Sequence, residues 1–108
     1  MSDQQPETAF AGWTFLTNHA HVLVCIAEDP DSRGRDIAAR VGITERAAQA
    51  IVADLAAEGY VNRTRVGRRN HYTINADAPL RHPLEHDHTI GELLVTLGRL
   101  KPRRRVRS

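Results

Sequence analysis

Apolar positions along the chain fall into helical stripes interrupted by one stretch of strand formers. From Asn18 onward, Ala20, Leu23, Val24 and Ala27 recur at the spacing of a helix with about 3.6 residues per turn. Asn18 is placed to cap that helix, and Glu28-Asp29-Pro30-Asp31 to stop it, because proline disfavours helical backbone in the residue before it. A second, short helix is predicted over Arg35–Val41, with Ile37, Ala38 and Val41 on one face and Gly42 just past its end. Thr44 then caps a third helix, and Glu45 in its first turn suits the helix dipole. The stripe of this helix is Ala48, Ile51, Val52 and Leu55, and Gly59 ends it. Tyr60–Val66 and His71–Ile74 are rich in strand formers, with Gly67-Arg68-Arg69-Asn70 as the turn of a hairpin. Ala76–His88 holds two prolines and three histidines and reads as a connector. A last helix opens at Thr89, whose Glu92 three residues on makes a capping box, and runs through Ile90, Leu93, Leu94 and Leu97 to Gly98.

This pattern predicts one domain, mainly α with a small β-hairpin, in a chain of 108 residues and 12.1 kDa. Residues 1–12 read as a flexible arm, and residues 99–108 (RLKPRRRVRS) as a basic disordered tail. Trp13, Phe15 and Leu16 form the bulkiest apolar group, suited to covering the core or meeting a partner subunit. No apolar run approaches the ~20 residues of a membrane helix, and no charged-then-apolar leader opens the sequence. The single cysteine, Cys25, excludes a disulfide framework and a multi-cysteine zinc site; in an apolar helix it reads as a buried, inert thiol.

Charge changes the picture through its distribution. The net +2 divides into −5 over residues 1–32, +4 over 33–72, −3 over 73–98 and +6 over 99–108. A basic middle and a basic tail between acidic flanks suit one face to a polyanion. Fourteen of the fifteen Lys and Arg residues are Arg, a bias that fits a GC-rich genome.

Helix, short helix, glycine turn, helix and hairpin follow one another in the order of a winged helix-turn-helix, expected over residues 13–75. Ala38 is small where two helices cross, Gly42 allows the bend, Ile43 plugs the turn, and Ala48 and Ile51 lock the second helix of the motif onto the first. The outward face of that second helix carries Arg46, Ala47, Gln49, Ala50 and Ala53. Arg46 and Gln49 are its long polar side chains near the N-terminal end and are assigned to base edges, with Ala47 and Ala50 close enough for thymine methyls. Arg63, Arg65, Arg68, Arg69 and Asn70 on the hairpin, with His71 beside them, are assigned to phosphates or a minor groove. Thr44 adds a phosphate contact through its backbone N–H.

The run IAARVGITERAAQAIVADLAAEGYVNRTRVGRRNHYTI resembles the winged helix-turn-helix core of bacterial MarR- and ArsR-type transcriptional regulators, most of all in Leu55-Ala-Ala-Glu-Gly-Tyr-Val61. The resemblance spans roughly residues 20–75. It implies a homodimeric repressor or activator in the bacterial cytoplasm, bound to double-stranded DNA at a near-palindromic operator with half-sites about one helical turn apart. The chain is shorter than most MarR-type proteins, lacks their long paired terminal helices, and lacks the paired cysteines of many ArsR-type metal sensors.

Other readings attach to specific residues. His82, His86 and His88 lie beside Glu85 and Asp87 where some ArsR-type sensors place metal ligands, although the spacing matches no metal motif and a solvated connector accounts for it. The expected metal and cofactor content is none. No nucleophile elbow, phosphate-binding glycine loop or oriented Cys–His arrangement supports an enzyme. The final stripe of Ile90, Leu93, Leu94 and Leu97, within the connector and helix of residues 76–98, either seals its own core or pairs with a copy. Pairing, with Trp13 and Phe15, is the expected dimer interface. A cleft between terminal helices leaves room for a small-molecule effector that no residue pattern specifies. The competing class is a protein-interaction module in which the winged helix is a docking scaffold.

Overall fold

A computed structural model describes residues 12–100; the expected arm up to residue 11 and the basic segment from residue 101 lie outside the described residues. The elements are α1 (Asn18–Glu28), α2 (Gly34–Val41), α3 (Glu45–Ala57), β1 (Val61–Val66), β2 (Arg69–Ile74) and α4 (Ile90–Thr96).

Local chemistry sets the boundaries. Thr17, one residue before the expected cap, closes the N-terminus of α1 by accepting from the Ala20 N–H at 3.4 Å, while Asn18 turns to the His21 ring at 3.2 Å. α2 ends at Gly42, whose φ of +90° lets two successive N–H groups, of Gly42 and Ile43, donate to the Ala38 carbonyl at 2.8 and 3.0 Å. Thr44 caps α3 as expected, its Oγ1 accepting from the Ala47 N–H at 3.0 Å. The hairpin turn is tighter than the sequence suggested. Val66 pairs with Arg69, so Gly67 and Arg68 alone make the turn, and Arg69 and Asn70 belong to β2. Gly67 supplies the positive φ of +62° that a two-residue turn requires at its first position.

The core lies where three helices meet the base of the hairpin: Val22, Leu23, Cys25 and Ile26 of α1, Ile37 and Ala38 of α2, Ala48, Ile51, Val52 and Leu55 of α3, with Tyr60, Val61 and Tyr72. Of the stripe expected on α1 only Leu23 is buried, and Ala20, Val24 and Ala27 are half-buried. Burying a side chain such as Ile26 contributes about 1.5–3 kcal/mol. The hairpin is also tied to the loop between α1 and α2 by the Tyr72 N–H, which donates to Pro30 O at 2.9 Å.

The connector is pinned rather than slack. Leu80 N–H donates to His88 O at 2.9 Å, Ile90 N–H to Ala78 O at 3.0 Å, and the Tyr60 hydroxyl to Pro79 O at 2.7 Å. At Gly91 the helix rests on the connector backbone, donating to Ala76 O at 2.9 Å. These contacts turn the first turn of α4 inward and divide its stripe. Ile90 and Leu94, expected at a dimer interface, are 3% and 0% exposed inside the chain's own core, whereas Leu93 is half-buried and Leu97 exposed. The interface expectation is corrected to that extent. Trp13 and Phe15 do not cover the core. Their rings meet edge to face with centroids 4.9 Å apart, and they are 78% and 91% exposed.

Candidate nucleic-acid interface

The buried stripe of α3 fixes what the helix presents outward. With Ala48, Ile51, Val52 and Leu55 in the core, Arg46, Gln49, Ala50 and Ala53 face solvent and Ala47 is half-buried. Three alanines beside two long polar side chains leave a narrow helix face that can approach a groove floor closely. The Gln49 side chain is not free of neighbours: its Nε2 donates to Glu45 Oε2 at 3.4 Å, and both side chains lie over Gly34 at the start of α2, 3.7 Å from where a Cβ would sit there.

Gly34 joins this surface to the wing. A cleft of about 310 Å³ opens between the residues leading into α2 (Asp31, Ser32, Arg33, Gly34) and the hairpin (Arg68, Arg69, Asn70). Gln49 of α3 thus meets the first turn of α2, which lines the cleft with Arg33, Arg68 and Arg69, and exposed Arg46 lies three residues before Gln49 on the same helix. Three guanidinium groups at a solvent-open cleft suit the oxygens of a phosphate backbone.

The register sorts the remaining wing residues. Arg63 and Arg65 alternate with exposed positions on the β1 face that begins with buried Val61, opposite Tyr72 and Asn70; Arg69 and His71 point to the other face, and Arg68 sits in the turn. The wing arginines are therefore spread around the hairpin instead of stacked on one side. His71, expected to reach phosphate, is half-buried and pairs through Nδ1 with Asp31 Oδ1 at 2.8 Å, tying β2 to the α1–α2 loop. Thr44, at the cap of α3, is exposed.

Ser32, Arg33 and Glu45 were not assigned to this surface from the sequence. Glu45 carried a local signal, lying four residues before Gln49 on one helix. Arg33 carried none, since only the docking of β2 on the loop, far away in sequence, brings it to Arg68 and Arg69.

The histidine cluster does not assemble. His82 Nδ1 accepts from the Leu84 N–H at 3.0 Å, and His88 Nδ1 pairs with Glu92 at 2.7 Å. Among the described residues no group of three His, Cys, Asp or Glu side chains is placed to hold a metal ion, so the reading of His82, His86 and His88 as a sensor site has no geometry behind it. The hydrogen bond to Glu92, aided by Asp87, raises the His88 pKa above its ordinary value. Burial pushes the Cys25 thiol up, with Arg40 opposing and Glu28 adding, which suits an inert core thiol. No helix among the described residues is long and apolar enough to cross a membrane.

Three helices followed by a two-stranded antiparallel hairpin, with α4 after them, are consistent with a winged helix-turn-helix. Residues 17–62, from the cap of α1 to the start of β1, match the model of a family described as winged helix-turn-helix DNA-binding, and this match supports a DNA-binding regulator. The chain matches no curated protein.

Proposed function

We propose that the chain is a sequence-specific, double-stranded-DNA-binding transcriptional regulator of MarR- or ArsR-like kind, working as a homodimer on a near-palindromic operator in the bacterial cytoplasm. The observation that supports this reading is the approach of Gln49 on α3 to Gly34, which also lines the cleft of Arg33, Arg68 and Arg69. In this reading α3 enters the major groove, Arg46 reads guanine and Gln49 adenine, and Ala47 and Ala50 pack against thymine methyls. Thr44, Arg63, Arg65, Arg68, Arg69 and Asn70 hold the backbone, with Arg33 added to them. The protein acts by occupying a promoter, without chemistry, and an effector is left unspecified. Exposed Trp13, Phe15 and Leu97, with half-buried Leu93, are the surface offered to a second copy.

Selection of bound sequences from a random duplex pool tests the reading. It predicts an enriched motif of two half-sites related by two-fold symmetry and about 10 base pairs apart. A pool with no enriched motif contradicts it and favours the alternative of a docking scaffold, for which the exposed Trp13–Phe15 pair is the supporting feature.

A further inference from the structure

Glu45 opens α3 and lies one helical turn before Gln49, on the face the helix presents to solvent. Its carboxylate stands in the first turn of its own helix, where negative charge is favoured. It also lies over Gly34 at the start of α2, whose cap residue Arg33 makes no side-chain cap hydrogen bond, so a second helix dipole favours the same place. From there Oε2 accepts from Gln49 Nε2 at 3.4 Å. A carboxylate only accepts, so the end of the Gln49 amide turned toward it is the NH2, and Oε1 is turned away.

This pairing limits what Gln49 offers to a base edge. An unrestrained glutamine amide presents either its two N–H donors or one donor beside its oxygen. With one N–H given to Glu45, the second choice remains: the other N–H beside Oε1. In the major groove guanine shows two acceptors, N7 and O6, whereas adenine shows the N7 acceptor beside the N6 donor. One donor beside one acceptor matches adenine and leaves guanine O6 facing an oxygen. We propose that Glu45 is a positioning residue for specificity: by holding the Gln49 amide, it makes α3 select adenine over guanine at the base pair that Gln49 reads. The proposal rests on the base-reading role given to Gln49 above. A negative charge on that surface also weakens binding to every duplex alike, so charge and selectivity are separable.

The test uses the full chain and two duplexes that carry adenine or guanine at the position where Gln49→Ala relaxes the selected motif. At one fixed salt concentration the readout is the ratio of the two affinities. That ratio cancels the charge effect and any loss of folded protein, since both change the two affinities alike. Glu45→Gln keeps the size of the side chain but adds a donor, and Glu45→Ala removes the acceptor; each lowers the adenine-to-guanine ratio about 2- to 10-fold. In a chain already carrying Gln49→Ala, neither changes the ratio. A ratio unchanged by both Glu45 variants overturns the proposal and leaves the base-reading role of Gln49 standing. An equal fall in the two backgrounds overturns the positioning role. A cytosine preference lost at a neighbouring base pair, with the ratio intact, shows Glu45 reading a base itself and overturns it also. Failure of Gln49→Ala to relax any position contradicts the base-reading role itself, and the proposal falls with it.

Discussion

At the scale of single residues, the pair formed by His88 and Glu92 shows how a sequence signal is redirected by its neighbours. Thr89 and Glu92 have capping-box spacing, and the first half forms: Thr89 Oγ1 accepts from the Glu92 N–H at 3.1 Å. The Glu92 carboxylate turns instead to His88 at 2.7 Å. Because the folded-state pKa of His88 is raised, the contribution of this pair is fully present below the ordinary histidine pKa of about 6.5 and is lost as pH rises through the raised value. An NMR titration of the His88 ring should have its midpoint above 6.5 and fall back toward that ordinary value in Glu92→Gln; a midpoint unmoved by that substitution contradicts the assignment. Other residue-level features were legible because they are local. Thr44, Gly42 and the stripe of α3 follow from capping, left-handed backbone and helical period alone. Arg33 and the pairing of His71 with Asp31 were not, since each depends on contacts between segments far apart in sequence.

At the scale of elements, a helical stripe states which residues share a face but not what that face meets. The stripe of α3 was read correctly as core because three other elements converge on it. The stripe of α4 has the same spacing, yet only Ile90 and Leu94 are buried, because the bridge between Pro79 and Thr89 sets the angle of the helix. Gly91 is the close approach that permits this seating: a Cβ there would stand 2.7 Å from Ala76 O and 2.9 Å from Ala76 Cβ. Gly91→Ala should therefore force α4 off the connector and destabilise the fold by roughly 1–3 kcal/mol, read as a lower denaturant midpoint. An unchanged midpoint shows that α4 does not close the core. The hairpin shows the reverse limit. Its strands were plain from their composition, but the cut between turn and strand fell two residues late because Arg69 and Asn70 carry turn-like polarity while pairing in the ladder.

At the scale of the molecule, function depends on juxtaposition more than on totals. The net +2 conveys little, whereas the docking of the wing brings Arg33, Arg68 and Arg69 to one cleft, with Asp31 and Gly34 in the same lining. The order of elements was legible in the sequence, which is why a winged helix-turn-helix was expected. The cleft at Gly34 was invisible there, because it arises only when the wing docks on the loop before α2. The proposed function calls for two kinds of contact, base-reading from α3 and backbone-holding from the wing, and they separate in one measurement. The ratio of affinities for the selected duplex and a random duplex should fall about 5- to 150-fold in Arg46→Ala with affinity for the random duplex little changed, whereas Arg68→Ala with Arg69→Ala should weaken both duplexes alike and preserve the ratio. A ratio that Arg46→Ala leaves unchanged contradicts the account, because α3 would then not be the element that reads the sequence.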